Sequence, residues 1–248
     1  MSRKRPTADV VVVGSLNMDL VVRTPRMPRP GETVHADSFA TFPGGKGANQ
    51  AVAAARMGAS TAMVGRVGQD GFGRELVEGL RRDGVNVEWV RALEGETTGI
   101  ASIWVEQPGG ANAIAVVAGA NGLLQPRDVE AAAELLGGAQ AVLLQLEVPL
   151  ATVEAAVKLC RQAGVRAVLD PAPARAEVAG WLGRLWAITP NQQEAEVLVG
   201  VPVRSPEEGA RACRALLDRG VAVAVVKMGE QGVVVGGEPA GGIFHVPA

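Results

Sequence analysis

The stretch TFPGGKGANQAVAAARMG, from Thr41 to Gly58, passes from a glycine-rich turn that carries Lys46 into an alanine-rich segment with helical character. Such a turn suggests phosphate binding, because free N–H groups and the positive end of a helix dipole attract anions. Neither common phosphate pattern fits, however. A Walker A loop requires Ser or Thr directly after its Gly-Lys, whereas Gly47 follows Lys46, and the dinucleotide pattern G-x-G-x-x-G is missing from the turn. The turn therefore needs another explanation.

The composition around this stretch is that of a globular protein with small-molecule ligands. The 248 residues are 48% hydrophobic and 20% charged, and the net charge of -2 leaves no basic stripe for nucleic acid. No apolar run approaches the ~20 residues of a membrane-spanning helix, and the N-terminal run is too short for a signal peptide. The two cysteines, Cys160 and Cys213, are too scattered for a metal site or a disulfide framework. These features predict a cytoplasmic protein with reduced thiols and no membrane partner.

Short β-branched runs alternate with amphipathic segments on both sides of the quoted stretch. We predict strands over 10–13, 63–67, 141–145, 167–170, 185–189, 221–227 and 232–235. We predict helices over 47–57, 73–83, 126–136, 150–163, 191–199 and 206–219. This alternation, with nearly continuous apolar strands, indicates an α/β fold: a three-layer αβα sandwich with a mostly parallel central sheet.

Two segments, about 17–43 and 98–118, depart from the alternation. Both read as strands of alternating polarity, and the second contains a Pro-Gly-Gly turn, which is typical of a hairpin. We interpret them as a small separate β-sheet. Ligands of open α/β sheets bind at the carboxyl ends of the strands, so this sheet is a candidate lid over such a site.

Several motifs place polar side chains at predicted strand ends. GSLNMDL presents Asn17 and Asp19 on one side of an extended chain, a pairing of donors and acceptors that suits hydroxyls but is also common in turns and caps. In LLQLEVP, Glu147 follows a strand end. In TPNQQEAE, Asn191 and Glu194 form either a helix capping box or a site for nucleotide phosphate and Mg²⁺. VVKMGEQGVVV by itself indicates a hairpin.

Together and in this order, these motifs resemble the ribokinase (PfkB) family of carbohydrate kinases along essentially the whole sequence. The most specific match is GGKGANQA, residues 44–51, which is similar to the family's N-terminal signature in the form typical of ribokinases. The resemblance implies transfer of a phosphoryl group from ATP to the 5-hydroxyl of D-ribose, with Mg²⁺ and a monovalent cation such as K⁺. It also implies a homodimer formed through the lids.

The resemblance carries residue roles over to matching positions. Sugar-binding positions of the family match Asn17, Asp19, Gly45, Lys46, Asn49 and Glu147. Nucleotide-binding positions match Asn191, Lys227, Gly229 and Gly232. Glu194 matches the acidic residue of the family's magnesium motif. The Gly-Gly-Lys turn is thereby explained as a sugar-binding turn, and a polar sugar needs several such contacts to hold one hydroxyl in line with the γ-phosphate.

One family segment has no match. The family continues into a D-T-x-G-A-G-D segment whose last Asp is the general base and whose N–H groups form the anion hole, whereas this sequence ends at GGIFHVPA, with Ala248 as its last residue. The resemblance therefore implies that the general base and the anion hole lie beyond Ala248, and we assign no catalytic residue within the sequence. We expect a C-terminally incomplete ribokinase-like domain over 1–248.

This expectation has two consequences and leaves alternatives. Without the general base and the anion hole, activity should be low. Without the closing helices, apolar surface of the central sheet should be uncovered. The alternatives to a ribokinase are a related kinase for deoxyribose, a hexose or a nucleoside, and a non-catalytic sugar-binding protein.

Overall fold

Two β-sheets and seven α-helices make up the computed structural model, which describes residues 7–238 and 241–248. The strands are β1 (Val10–Val13), β2 (Asn17–Thr24), β3 (Ser38–Gly44), β4 (Thr61–Gly68), β5 (Asn86–Leu93), β6 (Gly99–Glu106), β7 (Asn112–Val117), β8 (Ala141–Leu144), β9 (Arg166–Leu169), β10 (Ala187–Ile188), β11 (Val223–Lys227), β12 (Val233–Gly237) and β13 (Gly242–Val246). The helices are α1 (Lys46–Arg56), α2 (Gly71–Arg82), α3 (Pro126–Ala131), α4 (Ala133–Gly137), α5 (Leu150–Ala163), α6 (Gln192–Val199) and α7 (Pro206–Asp218).

The large sheet has the strand order β13-β12-β11-β10-β9-β8-β1-β4-β5. Its pairs are parallel except β11–β12 and β12–β13, which are antiparallel. The crossover helices connect strands that run in the same direction, as the alternation of strand and helix patterns predicted. The predicted mostly parallel sheet is confirmed.

Helices cover the large sheet on both faces and so form the predicted three layers. Val11 and Val13 of β1 belong to a core that includes side chains of α5, α6 and α7, whereas Val12 belongs to a second core with α1 and α2. Successive strand residues point to opposite faces, so these two cores lie on opposite sides of the sheet. On the face of Val12, Val168 and Val225 are only half-buried.

The small sheet is separate and has the order β3-β2-β6-β7. Strand β2 pairs antiparallel with β3 and parallel with β6, and β6 and β7 form the predicted hairpin. The predicted separate small sheet is thus confirmed. Its action as a lid remains a proposal. Within residues 7–238 and 241–248, no helix combines the length and the apolar character needed to cross a bilayer.

The structure differs from the sequence prediction mainly at the sheet edges. Strands β5 and β13 were not predicted, because edge strands are half exposed and lack a continuous apolar run. A 3₁₀ segment, Ala176–Arg184, was also missed. The single helix predicted over 126–136 is divided at Ala132 into α3 and α4.

Candidate active site

A cavity of about 680 Å³ lies between the small sheet and the carboxyl ends of the central strands. Its wall combines residues from the start of β2, the start of α1 and the segments that follow β8, β9 and β10. Five of the residues singled out in the sequence line it: Asn17, Lys46, Glu147, Asn191 and Glu194. The structure therefore brings residues predicted for the sugar, one predicted for the nucleotide and one predicted for Mg²⁺ to one cavity. This is the place where open α/β sheets bind their ligands.

Glu147 acts as a remote cap for the first turn of α1. The helix begins after Gly45, which has φ 89° and gives no side-chain cap. Glu147 Oε2 accepts hydrogen bonds from the Lys46 N–H at 3.0 Å and from Ser15 Oγ at 2.6 Å. Ser15 in turn accepts from the N–H groups of Gly47 and Ala48. A carboxylate at a helix N-terminus is favourable, so the glycine turn and the end of β8 are held together by charge-assisted bonds.

The second oxygen of Glu147 remains close to a cation. Glu147 Oε1 lies 4.0 Å from Lys46 Nζ, and both side chains are partly exposed to the cavity. A carboxylate accepts about four hydrogen bonds, so this oxygen is available to a hydroxyl donor.

Gly45 packs its backbone against β2: a Cβ there would lie 2.7 Å from the Asn17 backbone N. Only glycine allows this approach.

Asn17 and Asp19 lie on the same face of β2, as the spacing predicted. Asn17 is buried and lines the cavity, whereas Asp19 is half-buried and its carboxylate lies over Gly44. Burial raises the pKa of Asp19, and the negative charge of nearby Glu147 raises it further. The charges of Asp19 and Glu147 are therefore close enough to affect each other.

Asn121 was missed by sequence reasoning. It lies in the 3₁₀ segment Gly119–Leu123, is 1% exposed and lines the cavity. Its Nδ2 donates to Asn17 Oδ1 at 2.7 Å. A buried Asn within the motif GANG, just after the second small-sheet segment, was the signal that could have drawn attention to it.

Asn191 and Glu194 form the capping box that was one of the two alternatives. Asn191 Oδ1 accepts from the Glu194 N–H, and Glu194 accepts from the Asn191 N–H at 2.8 Å and from Asn191 Nδ2 at 2.9 Å. Both carboxylate oxygens are thus already hydrogen-bonded, although the pair lines the cavity. Capping and ligand contact are compatible, because each oxygen has a second acceptor site.

The fit of this region to Mg²⁺ follows from its carboxylates. Within residues 7–238 and 241–248 there is no group of three or more His, Cys, Asp or Glu side chains arranged to hold a metal ion. Mg²⁺ keeps several waters and is commonly held by one or two carboxylates together with substrate phosphates. The donor set therefore fits a Mg²⁺ carried mainly by ATP, with Glu194 as a contact through water, and does not fit a cage made by the protein alone.

The predicted nucleotide-binding turn lies beside Asn191. The Lys227 N–H donates to Pro190 O, and Lys227 Nζ lies 3.0 Å from Asp170 Oδ1. Gly229 has φ 60°, and a Cβ there would meet nothing within 4 Å, so its surface is open. Three positions predicted to bind the nucleotide do not line the cavity: Lys227, Gly229 and Gly232.

Gly232 packs closely against the end of β13 and the two residues that follow it. A Cβ at Gly232 would lie 2.1 Å from Val246 O and 2.8 Å from the Ala248 backbone N. Ala248 is exposed and follows β13, and it is not among the residues that line the cavity. We assign no general base and no anion hole among the residues that line the cavity.

Asn49 also lies outside the cavity lining. Its side chain is exposed on the first turns of α1 and borders a separate groove with Pro43 and Val52. The sugar contact predicted for Asn49 therefore stays a prediction. Arg175, in the segment after β9, lines the cavity near Asn191 and was not predicted.

Comparisons with known proteins agree with this arrangement. The description "pfkB family carbohydrate kinase" matches residues 7–248. The chain is 40% identical to the ribokinase of Mus musculus over 235 residues, which cover 94% of this chain and 72% of that protein. It is 38% identical to the deoxyribokinase of Salmonella typhi over 227 residues, 91% of this chain and 74% of that protein.

A solved structure is similar over the same extent. The structure of Arabidopsis thaliana ribokinase complexed with ribose and ATP matches with a TM-score of 0.83 and 31% identity, covering 97% of this chain and 78% of that one. The structural similarity and the family match both extend over nearly the whole sequence. The chain belongs to the pfkB family of carbohydrate kinases.

Proposed function

We propose that this chain binds D-ribose and ATP in the cavity and serves the transfer of the γ-phosphoryl group to the 5-hydroxyl of ribose. The observation that carries the proposal is the meeting of Asn17, Lys46 and Glu147 with Asn191 and Glu194 in one cavity. The ribokinase relatives and the neighbour complexed with ribose and ATP support it.

The chemistry of the two ends of the cavity suits these two ligands. At the sugar end, Asn17, Asp19 and Glu147 combine amide donors with carboxylate acceptors, which a ribose with several hydroxyls needs. At the other end, Arg175 in the cavity wall suits the negative charge of phosphates, and so does the open turn at Gly229, which lies outside the cavity lining. Holding both ligands in one orientation supplies much of the rate of such a transfer. We assign no general base within residues 7–238 and 241–248.

We keep two cation requirements as proposals. Mg²⁺, when bound with ATP, neutralises charge that develops on the phosphoryl oxygens. Glu194 would contact it through water, in keeping with the hydrogen bonds that its carboxylate already accepts. The requirement for K⁺ rests on the family resemblance alone, whereas the cytoplasmic location is proposed from the composition and the cysteine usage of the sequence.

The test is a comparison of binding and turnover across substrates. Ribose, deoxyribose, a hexose and a nucleoside are each titrated into the chain by calorimetry and then assayed for ADP release with ATP, Mg²⁺ and K⁺. We expect ribose to bind best. Preference for deoxyribose, which the Salmonella relative makes the second candidate, would replace ribose as the substrate. Sugar binding with no ADP release in any form of the gene product would indicate a non-catalytic sugar-binding protein.

Ribose affinity should depend on pH through Asp19. The ionised carboxylate accepts hydrogen bonds from sugar hydroxyls, and burial together with Glu147 raises its pKa above the usual 3.8. As the pH falls through this raised pKa, Asp19 takes up a proton, so affinity should begin to fall at a higher pH than for an ordinary aspartate. Calorimetric titrations with ribose between pH 4 and 7 measure this loss of affinity. The lower limit of the range is close to the pKa of about 3.9 of an unperturbed Asp.

Asp19→Asn should weaken ribose binding near neutral pH and remove its acid decline. Asp218→Asn, at an exposed position at the end of α7, is the matched control and should leave the pH profile unchanged. An Asp19→Asn variant that keeps the wild-type acid decline would contradict the role of Asp19.

We propose that the small sheet is a lid and that it pairs with the lid of a second copy. Three exposed apolar residues lie on the same face of the small sheet as Asn17 and Asp19. Phe42, Ile114 and Val116 are 50%, 56% and 59% exposed. A contiguous exposed apolar face of a small sheet indicates an interaction surface.

The dimer proposal predicts a change of mass on mutation. Ile114→Asp should convert a dimer into a monomer in sedimentation velocity, because a charge would be buried in the interface. Val201→Asp changes an exposed apolar residue elsewhere and should leave the dimer intact. A wild-type chain that sediments as a monomer at all concentrations would exclude the lid-paired dimer.

A further inference from the structure

Asn121 connects the cavity to the backbone of the segment before β2. Its Oδ1 accepts a hydrogen bond from the Leu16 N–H at 2.9 Å, and its Nδ2 donates to Leu16 O at 3.0 Å. The same Nδ2 donates to Asn17 Oδ1 at 2.7 Å. All three bonds are buried. The Asn121 side chain therefore accepts one hydrogen bond and donates two, all with the two consecutive residues Leu16 and Asn17.

The polarity of these bonds is set by the backbone and not by a choice of amide orientation. An amide side chain can often be turned by 180° with little change in shape, which makes its oxygen and nitrogen hard to distinguish. For Asn121 this ambiguity is absent, because a backbone N–H can only donate and a backbone C=O can only accept. Leu16 supplies one of each, so Oδ1 and Nδ2 of Asn121 each have one possible position.

The orientation of Asn17 follows from that of Asn121. Since Asn121 Nδ2 can only donate, the atom of Asn17 that faces it must be the acceptor Oδ1. Asn17 Nδ2 is then directed elsewhere, and Asn17 lines the cavity. Among the hydrogen bonds of the described part of the chain, none uses Asn17 Nδ2. Asn17 therefore offers the cavity hydrogen-bond donors and keeps its acceptor for Asn121.

Gly99 leaves the room that this pair needs. A Cβ at Gly99 would lie 2.2 Å from Asn121 Nδ2 and 2.3 Å from Asn17 Oδ1. Both atoms of the hydrogen bond thus lie directly over the first residue of β6. The second small-sheet segment and the segment that carries Asn121 are packed together at the bond itself, so a side chain at this position would push the two amides apart.

We propose that Asn121 is a positioning residue that makes Asn17 a hydrogen-bond donor toward the substrate and thereby helps to select a hydroxyl oxygen that can accept. The proposal rests on the proposed sugar-binding function of the cavity for its consequence, but the orientation of the two amides does not depend on it. Two measurements separate these parts.

The first measurement reads the amide orientation without ligand. Side-chain amide hydrogen exchange of the ¹⁵N-labelled chain should be slow for Asn121, whose protons are buried in bonds to Leu16 and Asn17, and faster for Asn17, whose protons face the cavity. In Asn121→Asp the position next to Asn17 can only accept, so Asn17 should turn and its amide protons should become protected. Protected Asn17 protons in the wild-type chain would overturn the proposal, whether or not the chain binds ribose.

The second measurement reads the polarity through the ligand. Ribose analogues in which one hydroxyl at a time is replaced by hydrogen or by fluorine are titrated by calorimetry. At the hydroxyl that contacts Asn17, hydrogen should weaken binding about 10-fold, the size of one neutral hydrogen bond, and fluorine clearly less, since fluorine can still accept. In Asn121→Asp that hydroxyl must donate, so both replacements should weaken binding equally.

Two further variants guard against an effect of folding alone. Gly99→Ala should displace the two amides and weaken ribose binding through the same contact, although the residue at position 121 is still Asn. Asn86→Asp makes the same chemical change at an exposed position of β5 and should alter neither amide exchange nor analogue preference. If ribose binds to the wild-type chain and hydrogen and fluorine replacements weaken binding equally at every position, the donor role of Asn17 is wrong. If ribose does not bind at all, the proposed function is wrong and the exchange measurement still decides the orientation.

Discussion

Replacing Glu147 with glutamine should weaken ribose binding about 100-fold. One oxygen of Glu147 accepts two hydrogen bonds, from Ser15 Oγ and from the Lys46 N–H, and the other faces the cavity. Glutamine has only one acceptor oxygen and no charge, so it cannot cap α1 and accept from the sugar at the same time. Hydrogen bonds to a charged group contribute about 1.5–3 kcal/mol, and 2.7 kcal/mol corresponds to roughly 100-fold. Calorimetric titration with ribose measures the loss.

Two companion measurements make the Glu147 prediction specific. Ser15→Ala removes one bond to the carboxylate but keeps its charge and the bond from Lys46, so the loss should be about 10-fold or smaller. Glu147→Gln should also lower the pKa of Asp19, because one of the two causes that raise it disappears. The acid decline of ribose binding should then move to lower pH. Ribose binding of wild-type strength by Glu147→Gln would exclude Glu147 from the sugar site.

Replacing Asp128 with alanine should cost about 3–5 kcal/mol of folding free energy, the range measured when one partner of a buried ion pair is removed. Asp128 and Arg66 are only 4% and 5% exposed, and Arg66 Nη2 lies 2.8 Å from Asp128 Oδ2. The same carboxylate accepts from the Gln125 N–H at the start of α3. Alanine would leave a buried guanidinium without its partner and α3 without its cap. Since the free energy of unfolding of a domain is about 5–15 kcal/mol in total, the urea concentration at the midpoint of unfolding should fall markedly.

The double variant Arg66→Met, Asp128→Leu is the control for the ion pair. With both charges gone, no buried charge is left unpaired, so much of the lost stability should return, apart from about 1 kcal/mol for the α3 cap. A single Asp128→Ala variant as stable as the wild type would contradict the account. The pair also matters for the site, since α3 begins five residues after Asn121 and the bond to Gln125 anchors the segment between them.

Much of the fold could be predicted because its signals are local. The helix that ends at Gly164 and the helix that ends at Gly200 were recognised from periodicity and a terminal glycine, and both glycines have the positive φ of a helix end, 70° and 79°. Strands β5 and β13 were missed because their signal is not local. An edge strand is specified by its neighbour in the sheet, and its own residues alternate between exposed and half-buried positions.

The candidate site could be predicted in part. Asn17, Glu147 and Asn191 follow or begin strands in recognisable motifs, and strand ends of a parallel sheet converge. Asn49 belongs to the same motif as Lys46, but its side chain is exposed and borders another groove, and its predicted sugar contact stays a prediction. Asn121 was not predicted, since its partners Leu16 and Asn17 are 105 and 104 residues away in the chain.

The sequence by itself determined the order of strands and helices, their glycine ends and the family motifs, because periodicity, capping and turns act over a few residues. Only the tertiary structure decided that Glu147 caps α1 and that Asn17 offers donors to the cavity. Those properties depend on which hydrogen-bonding groups of distant segments meet: the start of β2 meets the 3₁₀ segment Gly119–Leu123, and the segment after β8 meets the start of α1. A buried polar atom takes its role from the partner it meets, and no short stretch of sequence contains both.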